Sequence, residues 1–269
     1  MPLLFHHRPS LIAYFTCGDP DLGTTRDVVL AAIDAGAAII ELGVPFSDPV
    51  ADGPVIQRAS ERALRASTTL RDVINLAAEV RNQRPQAGLI IFSYFNPVLR
   101  YGIERFCHDA KTSGMDGALI TDLIPEEGAD YLTAMRHAKL ATIFLAAPTS
   151  TDARLRQIAH ASSGFIYAVS RTGVTGAGEQ FSPQIKMEEV GTLVKRLRRY
   201  SKLPIAVGFG IATAGQFAAA GHFADGVVVG SALVKVIEKA DKGRAPQAVA
   251  ELVRVLTGNT QNIAVTRSG

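Results

Sequence analysis

Short apolar runs recur along the chain, each followed by a stretch with helical spacing. The runs are Leu11 to Thr16, Ala38 to Val44, Leu89 to Phe95, Gly117 to Leu123, Thr142 to Pro148, Phe165 to Ser170, Pro204 to Gly210 and Gly226 to Ser231. Most are continuous rather than alternating, the pattern of parallel strands covered on both faces. Between them, Val28, Val29, Ala32 and Ile33 fall on one helical face ahead of Gly36, which suits a helix stop. Val73, Ile74, Ala77 and Val80 repeat the pattern, as do Leu193, Val194 and Leu197. Strand–helix alternation with short links predicts a parallel sheet with helical crossovers. Eight such strands can close and leave no edge. The expected architecture is therefore α/β, a single-domain (β/α)8 TIM barrel over residues 1–269, with an open doubly wound sheet as the alternative. The polar tail from Thr257 to Gly269 is expected to be flexible.

A barrel of this kind carries its chemistry at the C-terminal ends of its strands. The second run holds one acidic residue, Glu41, among apolar neighbours. A carboxylate there is costly unless it is paired, hydrated or neutralised. It is either a structural ion-pair member or a working acid/base, and desolvation would raise its pKa toward neutrality. Asp48 and Asp52 follow in the loop; each neighbours Pro or Gly and suits a turn, but Asp52 above a strand-borne Glu is also a candidate for chemistry. Three later segments read as an anion cradle: Ser170 to Gly176, Gly208-Phe209-Gly210, and Gly230-Ser231 at the start of a helix. Glycine lets backbone N–H groups approach phosphate oxygens, and a helix N-terminus favours negative charge. Tight strand–helix turns would use the same glycines. The glycine-containing stretch from Arg171 to Pro183 suits a lid, or an ordinary loop.

Composition narrows the class further. The net charge of +3 is too mild to argue for nucleic acid, and the run Lys195, Arg196, Arg198, Arg199 and Lys202 reads as the solvated face and end of a helix. Cys17 and Cys107 fall in no ligand spacing, and the six histidines do not cluster, so neither a structural metal nor a disulfide framework is expected. Two free thiols, no signal-peptide pattern and no long apolar run suit a cytoplasmic protein without a membrane span.

The stretch ELGVPFSDPVADGPVIQ, from Glu41 to Gln57, resembles the signature of the tryptophan synthase alpha subunit family. TCGDP, SYFNPV, SRTGVTGA, GFGI and VVVGSALVK match it in the same order, across roughly Leu11 to Lys239. That family cleaves indole-3-glycerol phosphate to indole and glyceraldehyde 3-phosphate, a retro-aldol reaction without metal or organic cofactor. The resemblance implies that Glu41 is the main acid/base and that Asp52 serves the indole nitrogen. It implies that Tyr14, Tyr94 and Tyr167 line the substrate pocket, that Thr175 is a lid residue, and that Gly176, Gly210, Gly230 and Ser231 bind phosphate. It departs from the family at Tyr14, commonly Phe, and at Ile124, often Pro. It implies a partner, a beta subunit that uses pyridoxal phosphate, in an αββα tetramer, met by the loops around Asp48-Pro49 and Asp122 to Glu126. Few residues precede the first strand, so part of the helix that plugs the barrel bottom in relatives is expected to be missing. A stand-alone lyase releasing free indole, or a non-catalytic barrel that binds glycerol phosphate and activates a partner, would share these loops. The long signature at Glu41 disfavours other phosphate-binding barrels.

Overall fold

The computed structural model describes residues 5, 8–169, 183–208, 210–241 and 243–259. Eight parallel strands close into a barrel in the order β1 to β8. They are β1 (Ser10–Thr16), β2 (Ile39–Gly43), β3 (Gly88–Ser93), β4 (Gly117–Ile120), β5 (Ala141–Ala146), β6 (Ile166–Val169), β7 (Ile205–Gly208) and β8 (Gly226–Val229). Outside lie α1 (Leu22–Asp34), α2 (Pro54–Arg65), α3 (Leu70–Gln83), α4 (Phe95–Tyr101), α5 (Ile103–Thr112), α6 (Ala129–His137), α7 (Asp152–Ala161), α8 (Pro183–Leu197), α9 (Ala214–Gly221), α10 (Ser231–Lys239) and α11 (Ala245–Thr257). The third run stops short of its expected end. Tyr94 and Phe95 leave the ladder to open α4, and the Phe95 amide donates to Asp122 Oδ1 at 2.7 Å.

The two-residue period of a strand sorts each run between two cores. Leu11, Ala13 and Phe15, with Ile40 and Leu42, face the helices. Ile12, Ile39, Ile90, Leu119, Ile143, Phe165, Ala206 and Val228 fill the barrel interior. By the same alternation Tyr14 and Thr16 share the inner face of Ile12, and Glu41 shares that of Ile39. Phe5, from ahead of β1, packs edge-on against Phe165 with ring centroids 5.8 Å apart and helps fill the interior. At the C-terminal end, α11 packs on α1. Gly258 adopts a left-handed φ of 74°, and Asn259 lies beside Gly36; the tail beyond 259 lies outside the described residues.

The strands are bolted at their N-terminal ends by a device that occurs twice. Asp116, just before β4, accepts from the Leu89 amide at 2.9 Å and from Arg81 at 2.8 Å. Asp225, just before β8, accepts from the Ile205 amide at 2.8 Å and pairs with Arg198. In both places the aspartate's own N–H returns to the same neighbour, and its carbonyl accepts from the next strand, at Ala141 and Ser10 respectively. The β3–β4–β5 arc and the β7–β8–β1 arc are thus fastened alike. Serine does a similar job on β5, where Ser163 Oγ accepts from the Thr142 amide at 3.0 Å.

This alters the reading of the basic run. Arg198 joins a carboxylate that is 3% exposed. Arg196 holds Asp152 Oδ1 at 2.7 Å and the Ser150 carbonyl at 2.7 Å. Two of the five cations are therefore structural clasps, while Lys195, Arg199 and Lys202 are exposed.

Deleting the carboxylate of Asp225 strands a backbone donor and the guanidiniums of Arg198 and Arg8 at once. Asp225→Ala is expected to destabilise the fold by about 2–4 kcal/mol, read as a lower urea midpoint with an unchanged slope. Substituting Glu61, exposed on α2, should leave the midpoint nearly unmoved.

Candidate active site

Glu41 sits on β2 between Tyr14 of β1 and Ile90 of β3 in register. It is fully buried, and neither of its carboxylate oxygens has a hydrogen-bond partner among the described residues. Burial pushes its pKa up to about 8. Among the described residues no ion pair compensates it, which favours the working acid/base over the structural ion-pair member of the two readings open to the sequence.

The space above Glu41 is made by small residues opposite large ones. A side chain on Gly43 would lie 2.5 Å from the Tyr14 hydroxyl, and one on Gly208 would lie 2.3 Å from that of Tyr167. Both tyrosine rings thus lie directly over glycine. Gly208, read from the sequence as part of an anion cradle, makes room for Tyr167. Phe92 meets Tyr14 edge-on at 5.0 Å, and its inner-face position follows from that of Ile90 two residues earlier. Phe92, Leu145 and Tyr167 stay partly exposed although they pack on the interior cluster, so the barrel mouth is open there.

Asp52 reaches this mouth from the loop after β2. Tyr94 donates to Asp52 Oδ2 at 3.1 Å and accepts from the Ala51 amide at 2.9 Å. Phe46 stacks near Tyr94, with centroids 5.1 Å apart. Burial raises the Asp52 pKa to about 6, against the opposing effect of the Tyr94 hydrogen bond. The negative charges of both Asp52 and Glu41 add to burial in raising the phenols of Tyr14 and Tyr167. The two carboxylates therefore act on one shared space. Asp48, by contrast, is exposed in a turn whose carbonyl accepts from Val50.

Gly230 lies beside Tyr14, with 3.5 Å from its would-be side chain to the ring, and leads into α10 at Ser231. No side chain caps α10 and no acidic residue occupies its first turn. Among the described residues nothing caps its leading amides, which suits an anion there. The start of α9 differs, because Thr213 and Gln216 cap it reciprocally. Gly210 is exposed at φ +80°, a backbone that favours glycine, with open space where a side chain would be. Thr175 and Gly176 lie outside the described residues, as does the rest of the segment from Ser170 to Ser182. Among the described residues no group of three His, Cys, Asp or Glu side chains is placed to hold a metal, and no helix is long and apolar enough to cross a membrane.

Comparison with known proteins agrees with this geometry. The family model described as tryptophan synthase alpha chain matches residues 3–264. The chain is 49% identical to a tryptophan synthase alpha chain of Solibacter usitatus over 233 residues, 87% of this chain and 85% of that one. It is 43% identical to that of Geobacter sulfurreducens over 260 residues, 96% of each. Tryptophan synthase of M. tuberculosis in an aminoacrylate-bound form superposes with a TM-score of 0.82 at 35% identity, covering 93% of this chain and 92% of that one. A tryptophan synthase complex from Pyrococcus furiosus gives 0.81 at 37%, covering 93% and 98%. With a match of this length and identity, the chain belongs to the tryptophan synthase alpha chain family.

Proposed function

We propose that Glu41 and Asp52 together cleave indole-3-glycerol phosphate, the reaction of this family. The carrying observation is the buried, unpartnered carboxyl of Glu41 in the barrel interior. Indole is a poor carbon leaving group. Protonation at C3 breaks the ring's aromaticity and makes the bond to the glycerol carbon labile. The electrons of that bond return to C3, and the glycerol hydroxyl becomes the aldehyde as it loses its proton. One proton enters at C3 and one leaves the hydroxyl, so a single carboxyl can deliver the first and collect the second. Positive charge develops on the ring nitrogen, where Asp52 as a carboxylate stabilises it. Tyr94 holds Asp52 in place by its hydrogen bond. Tyr14, Tyr94 and Tyr167 enclose the ring. The amides at Gly230 and Ser231, with Gly210, Gly176 and the lid residue Thr175, hold the phosphate and so orient the remote reacting bond. Protons alone balance the step, so no metal or organic cofactor enters it.

The chain works in the cytoplasm with a beta subunit, in an αββα tetramer, to which it passes indole. Val50, Leu99 and Ile124 are large apolar residues left exposed, and Val50 and Ile124 lie on the loops expected to meet that partner.

Glu41→Gln is expected to retain the fold and phosphate binding while cleavage, followed by indole release, falls by about 10²–10⁴-fold. An indole release rate near that of the wild type would overturn the assignment. The same variant has a stability signature. The folded chain keeps the Glu41 proton from the ordinary value of 4.5 up to about 8, whereas the unfolded chain has lost it. Stability is therefore full below this window and declines as pH rises through it. Thermal melts should show Glu41→Gln more stable than the wild type at pH 8, with the gain vanishing toward pH 4.5.

The pH–rate profile follows from the same groups. Proton delivery needs Glu41 protonated and charge stabilisation needs Asp52 ionised, so kcat/KM should be bell-shaped with limbs near 6 and 8. Asp52→Asn should lower the rate and erase the acid limb while leaving the basic one.

A further inference from the structure

Resting on the reading above, we infer that Arg62 is a positioning residue that locks the loop carrying Asp52 to the helix whose leading turn faces the phosphate. Asp52 stands just ahead of α2, and the first turns of that helix grip it. Gln57 Nε2 donates to the Asp52 carbonyl at 2.8 Å, and the Gln57 amide donates to Gly53 at 3.0 Å. The backbone of Asp52 therefore moves with α2.

Two different contacts then fix α2 against α10. One is apolar: Ile56 and Ala59 of α2 pack with Val234 of α10 and Tyr14 of β1. It resists separation but is non-directional, and leaves sliding along the helix axes weakly opposed. The other is ionic and directional. Arg58 and Arg62, one turn apart on α2, converge on Glu238 near the end of α10. Arg58 makes two bonds to its carboxylate, at 2.9 and 3.0 Å, and Arg62 makes one at 3.0 Å. Arg62 also grips Asp19 with two bonds, at 2.7 and 2.8 Å. Asp19 belongs to the loop after β1 and is 3% exposed. The Arg62 guanidinium thus ties three elements at one point, and its planar fork fixes direction as well as distance.

The consequence for the reaction is geometric. Ser231 and Glu238 are seven residues apart on one short helix, so a shift at Glu238 carries through to the amides at Ser231. Asp52 and the phosphate site must hold opposite ends of one substrate at a fixed separation. A displacement of about 1 Å between them costs on the order of 10²-fold in rate. Arg62 sets this separation without touching the substrate. Arg58 shares only Glu238, so its loss leaves the bridge from Asp19 through Arg62 to α10 in place.

The test compares four variants of the full chain in cleavage of indole-3-glycerol phosphate, well below their melting temperatures. Glu238→Gln keeps the buried Asp19–Arg62 pair and weakens only the link to α10. Arg62→Met keeps the side-chain stem and removes the tie from Asp19 to Glu238, leaving only the Arg58 bonds to Glu238. Both are expected to lower kcat by at least tenfold while the Kd for glycerol 3-phosphate stays within about threefold of the wild type. Arg62→Lys, with a point charge in place of a fork, should not restore kcat, and Arg58→Ala should stay within about twofold. If Glu238→Gln keeps wild-type kcat, or if Arg62→Met lowers only the melting temperature, the lock is overturned. A rise in the Kd for glycerol 3-phosphate matching the loss of kcat/KM overturns it too, because it makes Arg62 a support for the phosphate site alone. Failure of the underlying reading shows separately, as cleavage surviving Glu41→Gln.

Discussion

An uncompensated carboxyl in the barrel interior is the constraint from which the rest of the site follows. Burying Glu41 without a partner is unfavourable, and the surroundings leave that cost in place. Its neighbours among the described residues are aromatic and aliphatic rather than basic. The result is an acid that keeps its proton at neutral pH, beside an aspartate that a phenol helps to keep ionised. Two groups of the same chemical kind are thereby given different proton affinities by depth and by one hydrogen bond.

The barrel supports this arrangement by separating its two rims. Arginine–aspartate bolts and the Phe5–Phe165 contact serve the strand starts and the interior below. The other rim carries glycines under tyrosine rings, an uncapped helix start and a loop held by Gln57. Groups that would be liabilities in a packed core are tolerated at that rim because closure is secured elsewhere.

Much of this was legible in the sequence because each signal was local. Eight apolar runs separated by helical spacing indicated the barrel, and one acidic residue within such a run marked Glu41. Continuous runs hid the inner and outer faces, yet anchoring the count at Glu41 assigns Ile39 and Gly43 to the interior by alternation alone. Contacts between residues distant in sequence were not legible. Arg81 and Asp116 are far apart, as are Arg62 and Glu238, and nothing in either neighbourhood names its partner. The basic run was only partly legible for this reason: Arg198 is indeed exposed, but the fold brings Asp225 to it and Asp152 to Arg196. Gly208 misled differently, because glycine that admits a ligand and glycine that admits a neighbouring ring are identical in sequence.

The paired aspartates carry one more implication. Asp116-Gly117 and Asp225-Gly226 stand at equivalent stations half a turn apart around the wall, each clasped by an arginine from the helical side of the preceding strand. The two fastened arcs leave β2 and β6 as the strands between them. Glu41 and Asp52 stand on and after β2, between the two fastened arcs, and the uncapped start of α10 follows β8 in the second. The candidate site thus spans the join between β1 and β2 rather than lying within one fastened arc.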